Sequence, residues 1–249
     1  MQDRDGRVLR VAALYPELMN IYADRGNMIF LQRRCEWRGI GFQFTAKGLG
    51  DELDGDAHDL YYIGGGQDRD QILCAEDLLR TGRDALHAAA ARGAIVLGVC
   101  GGYQLLGRSY ELEGRELEGI GLLDVRTIRE AGPRLIGNVA IEARLGEDVL
   151  ELVGFENHGG RTRLGMGQRP LGRVLRGYGN DGDSGFEGAV NGNTIGTYLH
   201  GPLLPKNPAL ADWLLARALD LPACSLAALE DAFTELAHED GRRVAGLAG

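Results

Sequence analysis

The apolar positions of this chain change rhythm along its length. Val8 to Leu14 is an apolar run with β-branched members, and it predicts a first strand. Ile29, Phe30, Leu31 and Cys35 then fall near helical spacing. They predict a helix from about Asn27 to Trp37 that Gly39 and Gly41 stop. Phe42 to Ala46 and Asp59 to Ile63 predict two further strands, the second ending in Gly64, Gly65 and Gly66. An Ala- and Leu-rich helix is expected from Ala75 to Arg92. Ala94 to Val99 follows as a fourth strand, nearly all apolar, the pattern of a parallel strand covered on both faces. Strand and helix in alternation predict an α/β fold with a doubly wound, mostly parallel sheet.

The rhythm changes after Gly119. Short alternating runs such as LIGNVAIEARL, RVLRGY, GAVNGN and TIGTYLH are punctuated by Gly and Asn at hairpin-like spacing. They predict an antiparallel extension of the same sheet. Asn207 to Leu219 reads as a helix with Pro208 well placed at its start. Ser225 to about Glu239 reads as a last amphipathic helix with an acidic face, and the closing GRRVAGLAG is expected to fray. With no repeat, low-complexity linker or boundary, residues 1–249 read as one domain, of which 205–249 form a C-terminal helical region and tail.

Composition excludes several classes. At 249 residues, 44% hydrophobic and 25% charged, the chain is too apolar to be disordered, and its 39 glycines follow no collagen period. The longest uncharged apolar run, Ala94 to Cys100, is far short of the roughly 20 residues that a membrane helix needs. The N-terminus lacks the apolar core of a secretory signal, so a cytoplasmic protein without a transmembrane segment is expected. The net charge of −9 argues against nucleic acid as a partner. Of 27 basic residues only Lys47 and Lys206 are lysines, and GxxxxGK[ST] is absent, so no Walker-type ATP site is expected.

Four cysteines, Cys35, Cys74, Cys100 and Cys224, form no C-x-x-C pair. Neither a disulfide framework nor a metal site is expected, and each Cys is judged alone. Cys100 stands out. In GVCGGYQLLG, Gly98 to Gly107, an apolar strand runs into a glycine-flanked Cys and then into a helix. That is the pattern of a nucleophile elbow, whose flanking glycines permit a strained turn. The helix N-terminus favours thiolate, and the amide of Gly101 is placed to bind an oxyanion. An isolated Cys is more often core filler; the glycines after it and the strand before it reverse that weighting.

A nucleophilic Cys needs a base. His58, in an acidic loop, and His87 and His238, on helices, read as solvated surface residues. His200 ends TIGTYLH, at the C-terminal end of a strand, where α/β sheets place their sites. His158, in FENHGG, is the second choice. The Gly64-Gly65-Gly66-Gln67 turn after DLYYI offers further amides for an oxyanion hole, although three glycines alone also describe a plain tight turn.

These residues resemble the class I glutamine amidotransferases, in the branch that includes cobyric acid synthase. G-x-C-x-G-x-Q fits Gly98, Cys100, Gly102 and Gln104; the oxyanion strand fits GGGQ; E-x-H-x-G fits Glu156, His158 and Gly160; the catalytic His fits His200 in TYLHGPLLPKNP. LYPELMNIYADRGN, IGGGQDRDQ, FENHGGRT and PLGRV bring the likeness nearer to the glutaminase subunits of lipid II isoglutaminyl synthases, over residues 11 to about 217. The resemblance implies a Cys100 nucleophile with His200 as base. It implies a glutamine-binding set of Gly65, Gly66, Gly101, Gln104 and Arg134, in which the Arg134 fork suits an α-carboxylate. For any single arginine a surface loop position is the commoner case, and only the motif GPRLIGN raises Arg134 above the rest.

The resemblance also implies a reaction. L-glutamine is hydrolysed to glutamate and ammonia, with no cofactor in this chain. Ammonia passes to a MurT-like subunit of the Mur-ligase family, which uses ATP and Mg to amidate the D-glutamate α-carboxylate of lipid II. Many class I enzymes carry Glu two residues after the catalytic His, and here that position is Pro202. The third member is then absent or supplied elsewhere, with Glu156 and Asp24 as candidates. Two other functions fit the same residues less well: a glutaminase of cobyrinate amidation, which normally carries a fused P-loop domain, and a Cys hydrolase or peptidase. A partner surface is expected near Trp213, Leu214 and Leu215, although these also suit packing on the sheet.

Overall fold

The structure is a computed structural model that describes residues 6–21, 24–222 and 225–247. The first half alternates as β1 (Val8–Leu14), α1 (Arg25–Trp37), β2 (Gly41–Lys47), β3 (Leu60–Ile63), α2 (Asp68–Thr81), α3 (Arg83–Ala91), β4 (Ile95–Val99) and α4 (Gly101–Leu106). A strand-rich segment follows: β5 (Ser109–Leu112), β6 (Arg115–Glu118), β7 (Val125–Ile128), β8 (Leu135–Leu145), β9 (Asp148–His158), β10 (Arg161–Leu164), β11 (Gly172–Arg176) and β12 (Phe186–Glu187). The chain then returns through β13 (Ala189–Asn191) and β14 (Thr194–Thr197), and closes with α5 (Leu203–Lys206), α6 (Pro208–Ala218) and α7 (Ala232–Ala245).

The central sheet has the order β13-β14-β4-β3-β1-β2 and is parallel except for β13. Its inner strands are apolar on both faces because helices cover both. Side chains alternate across a strand. Ile95, Leu97 and Val99 of β4 join Leu60, Tyr62, Leu9 and Val11 in a core roofed by α1 and α6. Val96 joins Tyr61, Ile63, Ala12 and Leu14 in a second core under α2, α3 and α4. This arrangement is the predicted α/β architecture, with mixed parallel and antiparallel sheets.

The structure departs from the sequence-based expectations in several places. The helix expected over Ala75 to Arg92 is two helices, because the chain turns at Gly82, where a Cβ would lie 2.7 Å from Leu78 Cδ1. Only β13 extends the central sheet antiparallel. The other strands of the second half form two sheets of their own, β10-β7-β5-β6 and β12-β11-β8-β9. The long β8–β9 hairpin drives this separation. Its eleven-residue register turns at Gly146 in the left-handed region, and Val139, Ile141, Ala143 and Leu152 bury one face against the α6 side of the core.

The last helix runs from Ala232 to Ala245 rather than from Ser225 to Glu239, so residues 241–245 belong to it. Gly246 ends it with φ 84°, the usual glycine C-cap. No residue of α7 is buried, and its anchorage is polar. Arg34, fully buried, holds both Asp212 and Asp231 by paired hydrogen bonds, and Arg242 pairs with Glu151. Finally, Leu214 and Leu215 are wholly buried in the core, so they cannot present the partner surface expected near them; Trp213 is half-buried and donates to Asp148.

Candidate active site

The ends of β3, β4 and β14 lie side by side, and the chemistry gathers there. β4 runs into Cys100, which adopts φ 53° and ψ −105° before α4 begins at Gly101. A non-glycine residue holds that backbone only when its surroundings over-determine it. Here they do. Cys100 donates its amide to Thr197 O at 2.8 Å, and its carbonyl accepts from Gln104 N at 3.1 Å. Gly98 and Gly102 let the elbow close on its neighbours. A Cβ on Gly102 would sit 2.2 Å from Ile63 O, and one on Gly98 would sit 2.8 Å from Gly102 O.

The Gly64-Gly65-Gly66 turn is pressed against this elbow. Gly102 donates to Gly64 O at 3.0 Å. The point where Gly101 would carry a Cβ lies 3.1 Å from Gly66 N, so the amides of Gly66 and Gly101 adjoin. The Gly101 N–H belongs to the first turn of α4, where no intrahelical acceptor exists. Two adjacent backbone donors beside a thiol are the construction of an oxyanion hole.

His200 follows β14 and is fully buried. Its main chain bridges Phe155 in both directions. Its Nδ1 lies 3.8 Å from Asp24 Oδ1. Burial works against charge on this imidazole, yet the adjoining Cys100, first as a charge and then as a hydrogen-bond partner, together with Asp24, holds the pKa up at about 10. Gly65 fills the space between these groups: its missing Cβ would lie 3.1 Å from His200 Cε1, 3.3 Å from Asp24 Oδ2 and 3.4 Å from Cys100 Cβ.

Of the two candidates for a third member, only Asp24 faces His200. It is fully buried, and its Oδ2 accepts the Gly65 N–H at 2.7 Å. One carboxylate therefore holds the glycine turn with one oxygen and faces the imidazole with the other. Glu156 is equally buried but accepts from the amides of Tyr178 and Gly179, and its nearest histidine is His158, at 3.9 Å.

His158, the second candidate base, is otherwise engaged. Its ring stacks on Tyr198 at 3.7 Å, and its Nδ1 is bonded to Gly160 O. His58, read as solvated, is buried edge-on against Tyr61, because its loop packs over β3. His87 is exposed and His238 half-buried. Burial pushes the thiols of Cys35 and Cys74 up to about 12, which leaves them inert. Cys100 is only half-buried and opens on a cavity. Cys224 lies outside the described residues.

That cavity has a volume of about 390 Å³, and its wall includes Gly66, Gln71, Cys100, Gln104, Arg134 and His158. The structure thus brings Gly66, Cys100, Gln104 and Arg134 to one space, with Gly65, Gly101 and His200 directly behind it. Gln104 Oε1 accepts from Gln71 Nε2 at 2.7 Å, and its Nε2 donates to Tyr198 Oη at 3.1 Å. Arg134 donates from Nε and Nη2 to the side-chain and main-chain oxygens of Asn157.

Sequence reasoning missed Gln71 and Tyr198. Gln71 stands one helical turn beyond Gln67, to whose carbonyl its amide donates, and Tyr198 stands two residues before His200. Those offsets were the available signal. Met19 was missed with no comparable signal. Its Sδ occupies the space where a Gly66 Cβ would stand, only 2.3 Å from that point, so Gly66 is glycine because the methionine fills its place.

The chemistry available is acyl transfer: a strained thiol, an imidazole with a carboxylate behind it, and paired amides for a developing oxyanion. Comparison with known proteins agrees. A model of the CobB/CobQ-like glutamine amidotransferase domain matches residues 10–208. The chain is 38% identical over 224 residues to the lipid II isoglutaminyl synthase (glutamine-hydrolyzing) subunit GatD of Streptococcus pneumoniae, covering 88% of this chain and 85% of that protein. It is 41% identical over 203 residues to the subunit of the same name from Staphylococcus aureus, covering 81% of each. The PurLQS structure from Thermotoga maritima superimposes with a TM-score of 0.55 at 21% identity, over 77% of this chain and 87% of that one, and shows a shared fold.

Proposed function

The chain belongs to the CobB/CobQ-like glutamine amidotransferase family, and on that premise we propose that it is the glutaminase subunit of a lipid II isoglutaminyl synthase. One observation carries the reading: the match to two subunits of that name runs over at least 81% of both partners in each comparison, and Asp24, Cys100 and His200 lie within the residues 10–208 that the family model matches.

Cys100 Sγ attacks the side-chain carbonyl carbon of L-glutamine. The oxygen takes up negative charge and is met by the amides of Gly101 and Gly66. As the carbon–nitrogen bond breaks, His200 gives its proton to the leaving nitrogen, and ammonia departs from a Cys100 thioester. His200, then neutral, takes a proton from water, whose oxygen attacks the thioester carbon. The carbon–sulfur bond breaks, glutamate leaves and the thiolate–imidazolium pair is restored. Asp24 acts through His200 and is a positioning residue: its charge stabilises the imidazolium, and its bond to Gly65 keeps the oxyanion turn in register with the ring. Gln104, held between Gln71 and Tyr198, and Arg134 on the cavity wall fit a binding role toward the amino-acid end of glutamine.

The synthase named by these relatives has a further subunit. We assign it Mur-ligase-like, MurT-type character, with ATP and Mg bound there and none in this chain. What supports a further subunit is that both relatives are named as one subunit of a synthase. The ammonia then amidates the α-carboxylate of D-glutamate in lipid II. A cytoplasmic location belongs to the same proposal. Among the described residues no helix is long and apolar enough to cross a membrane.

The test uses amide-¹⁵N glutamine, the assembled two-subunit complex, ATP and Mg, with lipid II in one arm and a corrinoid acid in the other. The expected result is ¹⁵N in the α-carboxamide of lipid II only. Label in the corrinoid would replace the substrate assignment, and peptide cleavage without glutamine hydrolysis would replace the reaction.

A further inference from the structure

The cavity in front of Cys100 holds two arginines, and they stand in different states. Arg134 has two of its guanidinium N–H groups committed to Asn157. Arg129 lines the same cavity. Its main-chain N–H donates to Glu111 Oε2 at 2.8 Å, but among the described residues its guanidinium makes no hydrogen bond and no ion pair.

This guanidinium has a dedicated seat. A Cβ on Gly159 would lie 1.3 Å from Arg129 Nη1 and 2.6 Å from its Cζ. Gly159 is not among the glycines with positive φ, so its backbone would accept any side chain. A side chain there would take the place of the arginine head and push it aside. The cation therefore lies against the main chain of the FENHGG segment, inside the cavity that contains the nucleophile and with its own donors unspent. A glutamine whose amide is at Cys100 leaves an α-carboxylate for the cavity wall to meet, and a planar guanidinium fork matches a carboxylate.

We propose that Arg129 is a substrate-binding residue that shares the α-carboxylate of glutamine with Arg134, and that Gly159 is the seat that positions it. The inference rests on the glutaminase reading. It makes Arg129 a specificity determinant: the enzyme distinguishes glutamine from amides that lack the carboxylate partly through this residue.

Steady-state kinetics of the assembled complex test it with two substrates, L-glutamine and 4-aminobutanamide, which keeps the amide and the amine but has no carboxylate. Arg129→Ala is expected to raise KM for glutamine about 10- to 100-fold with kcat changed less than about threefold, as loss of a charge-assisted contact made equally in ground and transition states requires. Arg129→Lys recovers part of the loss. Neither variant changes kcat/KM for 4-aminobutanamide by more than about threefold. Gly159→Ala, which displaces the guanidinium, reproduces the KM effect. Arg129 is exposed, so its variants fold whether or not Gly159→Ala does. An Arg129→Ala enzyme with an unchanged KM for glutamine, or one that loses the same factor on both substrates, overturns the proposal. A wild-type complex that hydrolyses no glutamine overturns the glutaminase reading and this one with it.

Discussion

Asp24→Asn separates the two jobs of the buried carboxylate. The asparagine keeps the size of the side chain, and its carbonyl oxygen can still accept the Gly65 N–H now bonded at 2.7 Å, so the oxyanion turn stays in place. The charge facing His200 Nδ1 at 3.8 Å is lost. At an effective dielectric constant of about 20, a unit charge pair at that separation is worth about 4 kcal/mol. Each 1.36 kcal/mol is tenfold in rate, and the amide dipole retains part of the interaction, so kcat is expected to fall about 10²- to 10³-fold. The pKa of His200, held at about 10 by Cys100 and Asp24 against burial, falls as well. A coupled assay for glutamate reads kcat, and the pH dependence of Cys100 alkylation reads the loss of the imidazolium. A variant whose kcat stays within about threefold of wild type, with an unchanged alkylation profile, would refute the role given to Asp24.

Three further outcomes follow from the packing around the site. Burial raises the carboxyl of Glu187 from 4.5 to about 8, although Tyr198 N and Thr197 Oγ1 donate to it. A folded-state pKa above the unfolded one means that the native state binds the proton more tightly, so this group's stabilisation is full below pH 4.5 and is lost as pH rises to about 8. Glu187→Gln should remove that slope, so that the urea midpoint of the variant gains on wild type across this window; parallel curves would contradict it. Arg34→Ala removes the partner shared by the part-exposed Asp212 and Asp231 carboxylates, of which Asp212 keeps Arg38, and is expected to cost about 1–3 kcal/mol, read as a lowered denaturant midpoint with early proteolysis in α7. Gly65→Ala puts a methyl 3.1 Å from the His200 ring and 3.4 Å from Cys100 Cβ; glutaminase activity should drop at least tenfold while the melting temperature moves by only a few degrees, and full activity would show that the turn has slack.

Much of the site was legible because its parts are local in sequence. GVCGGYQ encodes strand, elbow and helix within seven residues, and the glycines after β3 mark the turn that adjoins them. His200 was legible from its position at a strand end. The choice between Asp24 and Glu156 was not, since it depends on which loop reaches the ring, and Asp24 arrives from the segment before α1, about 175 residues upstream of His200. The doubly wound sheet followed from alternating elements, whereas the two separate second-half sheets did not. Strand periodicity states which face is buried but not against which partner, and the β8–β9 hairpin finds its cover on the α6 side of the core. The break at Gly82 was lost inside an Ala-rich helical pattern, and Leu214 and Leu215 were misplaced because an apolar helix face reads alike whether the sheet or a partner covers it.

The proposed reaction turns on Cys100, raised on its strained turn, as the nucleophile of glutamine hydrolysis. Ammonia release from L-glutamine by Cys100→Ala, in the assembled complex and beside wild type of equal melting temperature, tests it most directly. A loss of at least about 10³-fold in kcat is expected, together with amidation that recovers when ammonium is supplied in place of glutamine. Ammonia release at the wild-type rate from the folded alanine variant would contradict it.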